Sequence, residues 1–208
     1  LLVIDVSNPE YIDFQKDSDN DGIPDALLTS IDLPVDTLDI SVKALIEKQS
    51  LFILFRNSVN KTGKLVVIDI SNPASPVVQS TLNYTYDAPE DLKIKDNLAY
   101  VSSDSWGIVV LDIQDLSSPV FSGSFGKNVF SSISISDNYL YYVDYGNRLH
   151  VVDISTSNSP SETGSIQTIE GRYANIAISG NFVYLASQEV GIQVFDISDK
   201  KNIKLVLW

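Results

Sequence analysis

The sequence predicts an all-β protein: a β-propeller of four-stranded antiparallel blades. Three observations carry this. A short apolar run ending in Asp recurs at nearly constant intervals, each interval holds the same strand-like runs in the same order, and no stretch keeps helical periodicity over about ten residues.

The recurring run reads Leu2-Val3-Ile4-Asp5-Val6-Ser7, then Val66-Val67-Ile68-Asp69-Ile70-Ser71, Val109-Val110-Leu111-Asp112-Ile113, Val151-Val152-Asp153-Ile154-Ser155 and Gln193-Val194-Phe195-Asp196-Ile197-Ser198. Its Asp residues stand 64, 43, 41 and 43 positions apart, so one unit is about 42 residues and the first interval carries about 22 extra. Repeats of this length belong to propellers or solenoids. Residues 88–125 show the plan of a unit. Asp91 to Ile94 alternates, Asp96-Asn97 turns the chain, Leu98 to Val101 follows, and Ser105-Trp106-Gly107 turns it again. Ile108 to Ile113 is nearly all apolar, Ser117-Ser118-Pro119 makes a corner, and Val120 to Phe125 closes the unit. Four short runs separated by Gly, Asn, Asp and Pro read as four strands. The third is apolar on both faces, as expected of a strand held between two neighbouring sheets. The repeated Asp is expected to cap the corner after that strand by accepting backbone N–H groups. Two strands of third and fourth type at the front and four full sets after them make about four and a half blades, as in a piece of a larger ring.

Leu98-Ala99-Tyr100-Val101 followed by Gly107 to Ile113, and Phe182-Val183-Tyr184-Leu185-Ala186 followed by Gly191 to Ser198, resemble the LVIVD-repeat propellers of bacterial and archaeal surface proteins. The resemblance covers nearly all of residues 1–208 as one partial propeller and implies a repeat scaffold at the cell surface.

Residues 15–36 break the repeat and are expected to form an inserted calcium-binding loop between blades. Asp17, Asp19, Asp21 and Asp25 occupy positions 1, 3, 5 and 9 of a loop with Gly22 at the sharp turn, and Ile23 offers its carbonyl at position 7. Calcium takes six to eight oxygens, and this spacing wraps them around one point. The stretch is similar to thrombospondin type-3 calcium loops. Position 12 is Leu28, not Glu, so a further ligand is expected from Asp32, Asp13 or a neighbouring segment. Weak extracellular-range affinity follows, with calcium in a structural role.

Fourteen basic against 27 acidic residues give a formal charge of −13, which disfavours nucleic acid and anionic membrane surfaces as partners. No apolar run reaches the roughly 18 residues that span a bilayer. Cys is absent and His150 is the sole histidine, which leaves no basis for a zinc site or a Cys–His pair. His150 is expected near a strand start at the surface. If the central channel carries chemistry, its first-strand polar residues are the candidates: Asp39, Glu90, Asp91, Ser131, Ser132, Arg172 and Asn175. Asp39, Asp91 and Asn175 each precede an apolar residue and are expected to be equivalent. Trp106 and Tyr173 are candidate exposed aromatics. The expected function is a secreted or cell-surface scaffold for a protein or glycan partner. The alternative is a hydrolase or lyase acting in the channel.

Overall fold

The computed structural model describes residues 2–4, 27–57, 59–84, 89–103, 106–156 and 159–208. These residues form strands and turns with no helix. The strands are β1 (Leu2–Ile4), β2 (Leu27–Ser30), β3 (Asp39–Glu47), β4 (Ser50–Asn57), β5 (Thr62–Asp69), β6 (Val77–Tyr84), β7 (Pro89–Lys95), β8 (Leu98–Ser103), β9 (Gly107–Asp112) and β10 (Val120–Phe125). They continue as β11 (Val129–Ser136), β12 (Tyr139–Asp144), β13 (Arg148–Asp153), β14 (Ser161–Gln167), β15 (Tyr173–Ser179), β16 (Phe182–Ser187), β17 (Gly191–Asp196) and β18 (Lys204–Leu207). β1 and β2 pair with each other; β3–β6, β7–β10, β11–β14 and β15–β18 form four antiparallel sheets, each laid down in chain order. We number these the first to fourth blades.

The last part of the 15–36 stretch is therefore built into the fold, because β2 pairs antiparallel with β1, Val3 opposite Thr29. The residues proposed to bind calcium, Asp17, Asp19, Asp21, Ile23 and Asp25, lie outside the described residues, as does Asp13.

The first strands of successive blades (β3, β7, β11 and β15) lie side by side, and the sheets fan outward from them. Apolar residues on the facing sides of neighbouring sheets fill the wedges between. Phe52, Leu54 and Leu65 of the first blade meet Leu92, Val101 and Val109 of the second. Tyr100 and Ile108 of the second meet Ile133, Leu140 and Tyr142 of the third. Tyr141 and Leu149 of the third meet Ile176, Leu185 and Phe195 of the fourth. In the first three blades strands two and three are buried on both faces because each sheet is covered twice, which is why the Leu65 to Ile68 run is continuously apolar instead of alternating.

The turns repeat as faithfully as the strands. The first turn residue after each inner strand has positive φ: Lys48, Asp96, Asp137 and Gly180, at 51° to 56°. Asp and Gly are among the residues that tolerate this region. The repeated Asp does cap its corner. Asp69 Oδ1 accepts from the Ser71 amide, Asp112 from Gln114, Asp153 from Ser155 and Asp196 from Ser198, each at 2.8 Å. The next residue ties the corner to the inner hairpin. The amides of Ile70, Ile113, Ile154 and Ile197 donate to the carbonyls of Gln49, Asn97, Asn138 and Asn181. Hydrogen bonds from Ser71 and Ser198 hold Asp69 and Asp196 below the ordinary carboxylate value. These five-fold repeated Asp residues are thus architectural wherever they are described.

Candidate functional site

Each inner strand carries an irregularity near its start, one extra residue in the first, second and fourth blades and two in the third. The register slips between Ser41 and Lys43, Pro89 and Asp91, Val129 and Ile133, and Tyr173 and Asn175. A bulge of this kind re-aims the side chain that follows it. Beyond it Leu92, Ile133 and Ile176 turn into the wedges, opposite Val101, Tyr142 and Leu185, and Ala44 holds the same register opposite Ile53 but is exposed. The residue just before it is polar in all four blades: Lys43, Asp91, Ser132 and Asn175.

These four equivalent positions touch in sequence around the axis. Lys43 Nζ lies 3.2 Å from Asp91 Oδ1. Ser132 Oγ is 3.0 Å from Asp91 Oδ2 and 3.1 Å from Asn175 Oδ1. Asp91 is the centre of this ladder. Its Oδ1 accepts from its neighbour Leu92 N at 2.9 Å, while Oδ2 accepts from Lys93 Nζ at 2.9 Å and from Ile133 N of the next blade at 3.1 Å. Asn175 caps the Ile176 amide in the same way, at 2.9 Å. Burial pushes the Asp91 carboxyl up, but Lys93, the Ile133 amide and Lys43 outweigh it and leave the group below its ordinary 3.8. A carboxylate so held is an ionised acceptor at neutral pH, and four hydrogen bonds and the Lys43 ion pair already use its lone pairs. A cleft of about 250 Å³ opens over the ladder, lined by Val42, Lys43, Glu90, Asp91, Ser132, Ala174 and Asn175.

Of the residues expected at the channel, Glu90, Asp91 and Asn175 line this cleft together with Ser132. Glu90 also receives Arg56 of the first blade. Asp39 sits elsewhere. It occupies the first position of β3, before the bulge, where it takes a 2.8 Å ion pair from Lys64 and a 3.2 Å hydrogen bond from Asn57. The Lys64 hydrogen bond, with the Asp36 amide and Asn57, holds it below the ordinary value despite burial. The true equivalent of Asp91 in the first blade is Lys43. Arg172 lies in a separate cleft of about 360 Å³ with Tyr145, Asn147, Glu170, Gly171 and Glu189. There its own amide donates to Glu189 Oε2 at 2.6 Å.

Tyr173 is buried, its hydroxyl donating to the Ile169 carbonyl and accepting from Gln193 Nε2, so it is a packing residue and not an exposed aromatic. His150 lies near the start of β13, as expected, opposite Tyr142, but its side chain is mostly covered. Its ring stacks on Tyr142 with centroids 4.7 Å apart. Its Nδ1 is 2.9 Å from Glu162 Oε2 and its Nε2 is 3.1 Å from Asp144 Oδ2. Trp106 is 46% exposed, as expected. It shares one end of the molecule with Tyr145, 52% exposed, and Val59, because all three sit in the hairpins that join second to third strands. The tips at the opposite end are Lys48-Gln49, Asp96-Asn97, Asp137-Asn138 and Gly180-Asn181. In the first three blades one end presents Val59, Trp106 and Tyr145 at its tips, with Gln188-Glu189-Val190 in the fourth, and the other end presents polar residues.

Four fanned four-stranded sheets around a polar axis define a β-propeller built of repeats. The chain belongs to the LVIVD repeat family, whose model matches residues 59–85, 88–126, 130–168 and 170–207, one match to each blade. No curated protein matches the sequence. Among solved structures it is similar to the computationally designed Ika8 protein (TM-score 0.58, 12% identity), covering 75% of this chain and 45% of that one. It is also similar to the computationally designed Ika4 protein (TM-score 0.57, 12% identity; 79% of this chain and 95% of that one). A third likeness is to a chain in the S. cerevisiae complex of a Dbp5 variant with Nup159, a Gle1 variant, IP6 and ADP (TM-score 0.55, 10% identity; 80% and 47%). The chain thus spans under half the length of the first and third of these. At such identities the likeness is one of fold.

Proposed function

We propose that this chain is a secreted or cell-surface scaffold that binds a protein or glycan partner through its aromatic end, with calcium in the Asp17–Asp25 loop in a structural role. The observation that carries the reading is the contrast between the two sets of hairpin tips. Exposed Trp106 and Tyr145 offer flat apolar faces with polar handles, the side chains enriched at binding hot spots, while the far end offers none at its tips. The axial cleft favours scaffold over enzyme. Asp91, its most buried carboxylate, is engaged by two lysines, a serine and two amides that hold blades together, so it serves architecture and not proton transfer.

The test is binding of the labelled chain to a glycan array and to intact producing cells. The double variant Trp106→Ala/Tyr145→Ala is expected to weaken apparent affinity by about ten-fold or more, with an unchanged melting curve. Undiminished binding by that variant removes the reading. Calorimetric titration is expected to show one calcium site of roughly 10⁻⁴ to 10⁻³ M, lost in Asp19→Ala/Asp21→Ala. Fractionation of the producing cells is expected to find the mature gene product outside the cytoplasm.

A further inference from the structure

The crossover from the third blade to the fourth departs from the repeat. Five residues, 168–172, pass between β14 and β15, against four between β6 and β7 and three between β10 and β11. The added length carries Glu170, Gly171 and Arg172, and it is pinned on both sides. Toward the β12–β13 hairpin, the Thr168 amide and hydroxyl donate to the Asn147 carbonyl at 2.8 and 2.7 Å, and Gln167 Nε2 donates to the Gly146 carbonyl at 2.8 Å. Toward the β16–β17 hairpin, the Arg172 amide donates to Glu189 Oε2 at 2.6 Å, and the Gln188 amide donates to the Arg172 carbonyl at 3.1 Å. These three segments line the cleft of about 360 Å³ that holds Tyr145, Asn147, Glu170, Gly171, Arg172 and Glu189. Small-molecule sites run from about 300 to 1,000 Å³, so the cleft suits a small ligand. Its walls are already tied together, and a ligand need not order them on binding.

The lining mixes charges of both signs. The Arg172 amide, as the chief cause, holds Glu189 below the ordinary carboxylate value, so it is an ionised acceptor at neutral pH. The Arg172 side chain is 78% exposed, and its Nε is 4.0 Å from Glu189 Oε1, too far for a hydrogen bond. Glu170 is exposed and Tyr145 is 52% exposed. A phosphate or carboxylate ligand would meet two glutamates on a chain of formal charge −13, and an ammonium ligand would meet the guanidinium. A neutral polyol meets neither penalty. Each of its hydroxyls both donates and accepts, so it pairs with carboxylate and guanidinium alike. The C–H face of a pyranose ring can lie flat on the apolar body of a tyrosine. We propose that this cleft is a binding subsite for a neutral pyranose sugar, with Tyr145 as the platform and Glu170, Arg172 and Glu189 holding the hydroxyls. The proposal rests on the aromatic end being the binding surface and narrows its partner to a glycan.

The experiment applies the labelled chain to an array of neutral, sulfated, uronic-acid and amino-sugar oligosaccharides and measures the affinity of the best neutral binder by calorimetry. The double variant Glu170→Gln/Arg172→Ala is expected to weaken that affinity about ten-fold or more, the loss of charge-assisted hydrogen bonds to the ligand. Both side chains are exposed, so the variant keeps its fold, which near-ultraviolet circular dichroism checks. Three results overturn the proposal: no neutral oligosaccharide is bound, binding is confined to charged sugars, or neutral binding is undiminished in the double variant. The broader reading fails differently. If Glu170→Gln/Arg172→Ala leaves binding intact while Trp106→Ala/Tyr145→Ala removes it, the aromatic end stands and only the cleft falls. If the chain binds intact cells through Trp106 and Tyr145 but binds no sugar, the partner is a protein and the sugar subsite is refuted.

Discussion

Replacing Asp91 by Ala should loosen three blades at once. The side chain is almost fully covered, with Lys43 of the first blade at 3.2 Å, Lys93 at 2.9 Å, and Ser132 and the Ile133 amide of the third blade at 3.0 and 3.1 Å. Breaking a buried ion pair costs about 3–5 kcal/mol, and a buried amide left without its acceptor costs about 1–3 kcal/mol. Both lysine side chains are about a quarter to two-fifths exposed, so water takes up part of their charge once Asp91 is gone. The low end of the range applies, about 3 kcal/mol, which for a chain of this size is a fall of roughly 6–12 °C in melting temperature. Asp91→Asn keeps a carbonyl acceptor and mimics the Asn175 rung, so it should cost about half as much. The assay is urea unfolding followed by tryptophan fluorescence and far-ultraviolet circular dichroism. The pH dependence has a fixed sign. The folded-state carboxyl lies below its ordinary 3.8, so its stabilisation is complete above that value and is lost as pH falls through the depressed folded one. The gap between wild type and Asp91→Asn should therefore close in acid. The reasoning is refuted if Asp91→Ala costs under about 1 kcal/mol, or if the gap to Asp91→Asn is unchanged down to strongly acid pH.

Three further substitutions probe the packing. A Cβ at Gly164 meets the Lys200 carbonyl oxygen of the fourth blade at 2.1 Å, whereas one at Gly123 meets nothing within 4 Å. Gly164→Ala should destabilise by about 1–3 kcal/mol, and Gly123→Ala should be close to neutral; equal effects in thermal melts contradict the close approach. The Tyr141 hydroxyl is buried without a hydrogen-bond partner, and burial pushes its pKa up to about 12. Tyr141→Phe should gain about 1 kcal/mol in urea titration, since it removes an unsatisfied polar group at nearly constant volume. A loss of stability there contradicts the assignment.

The strands, the turns and the Asp caps were legible in the sequence because each is a local pattern written several times over. Asp96-Asn97, Asp137-Asn138 and Gly180-Asn181 mark the same hairpin, and the corner caps join an Asp to an amide two residues on. The axial ladder was legible only in part. Its contacts join residues about forty positions apart, and side-chain direction along a strand reverses with every residue. Counting from Ile40 placed Asp39 beside Asp91 and Asn175. The bulge between Ser41 and Lys43, together with an inner strand longer than its counterparts, moves the matching position to Lys43. The usable signal was the apolar residue after it, Ala44, which pairs with Ile53 as Leu92 pairs with Val101. The burial of Tyr173 and the covering of the His150 ring were not legible for a related cause, because neither Gln193 behind Tyr173 nor the carboxylates of Asp144 and Glu162 around His150 are sequence neighbours.

The kink at the start of every inner strand separates two design problems. The residue after it must stay hydrophobic or the wedge empties, but the one it turns inward meets mostly polar partners, chiefly its opposite numbers in the neighbouring blades. Lysine, aspartate, serine and asparagine already take turns there. Point changes at Lys43 and Asn175, at the two ends of the ladder, can therefore recharge the lumen without removing the Asp91 contacts to Lys93 and the Ile133 amide.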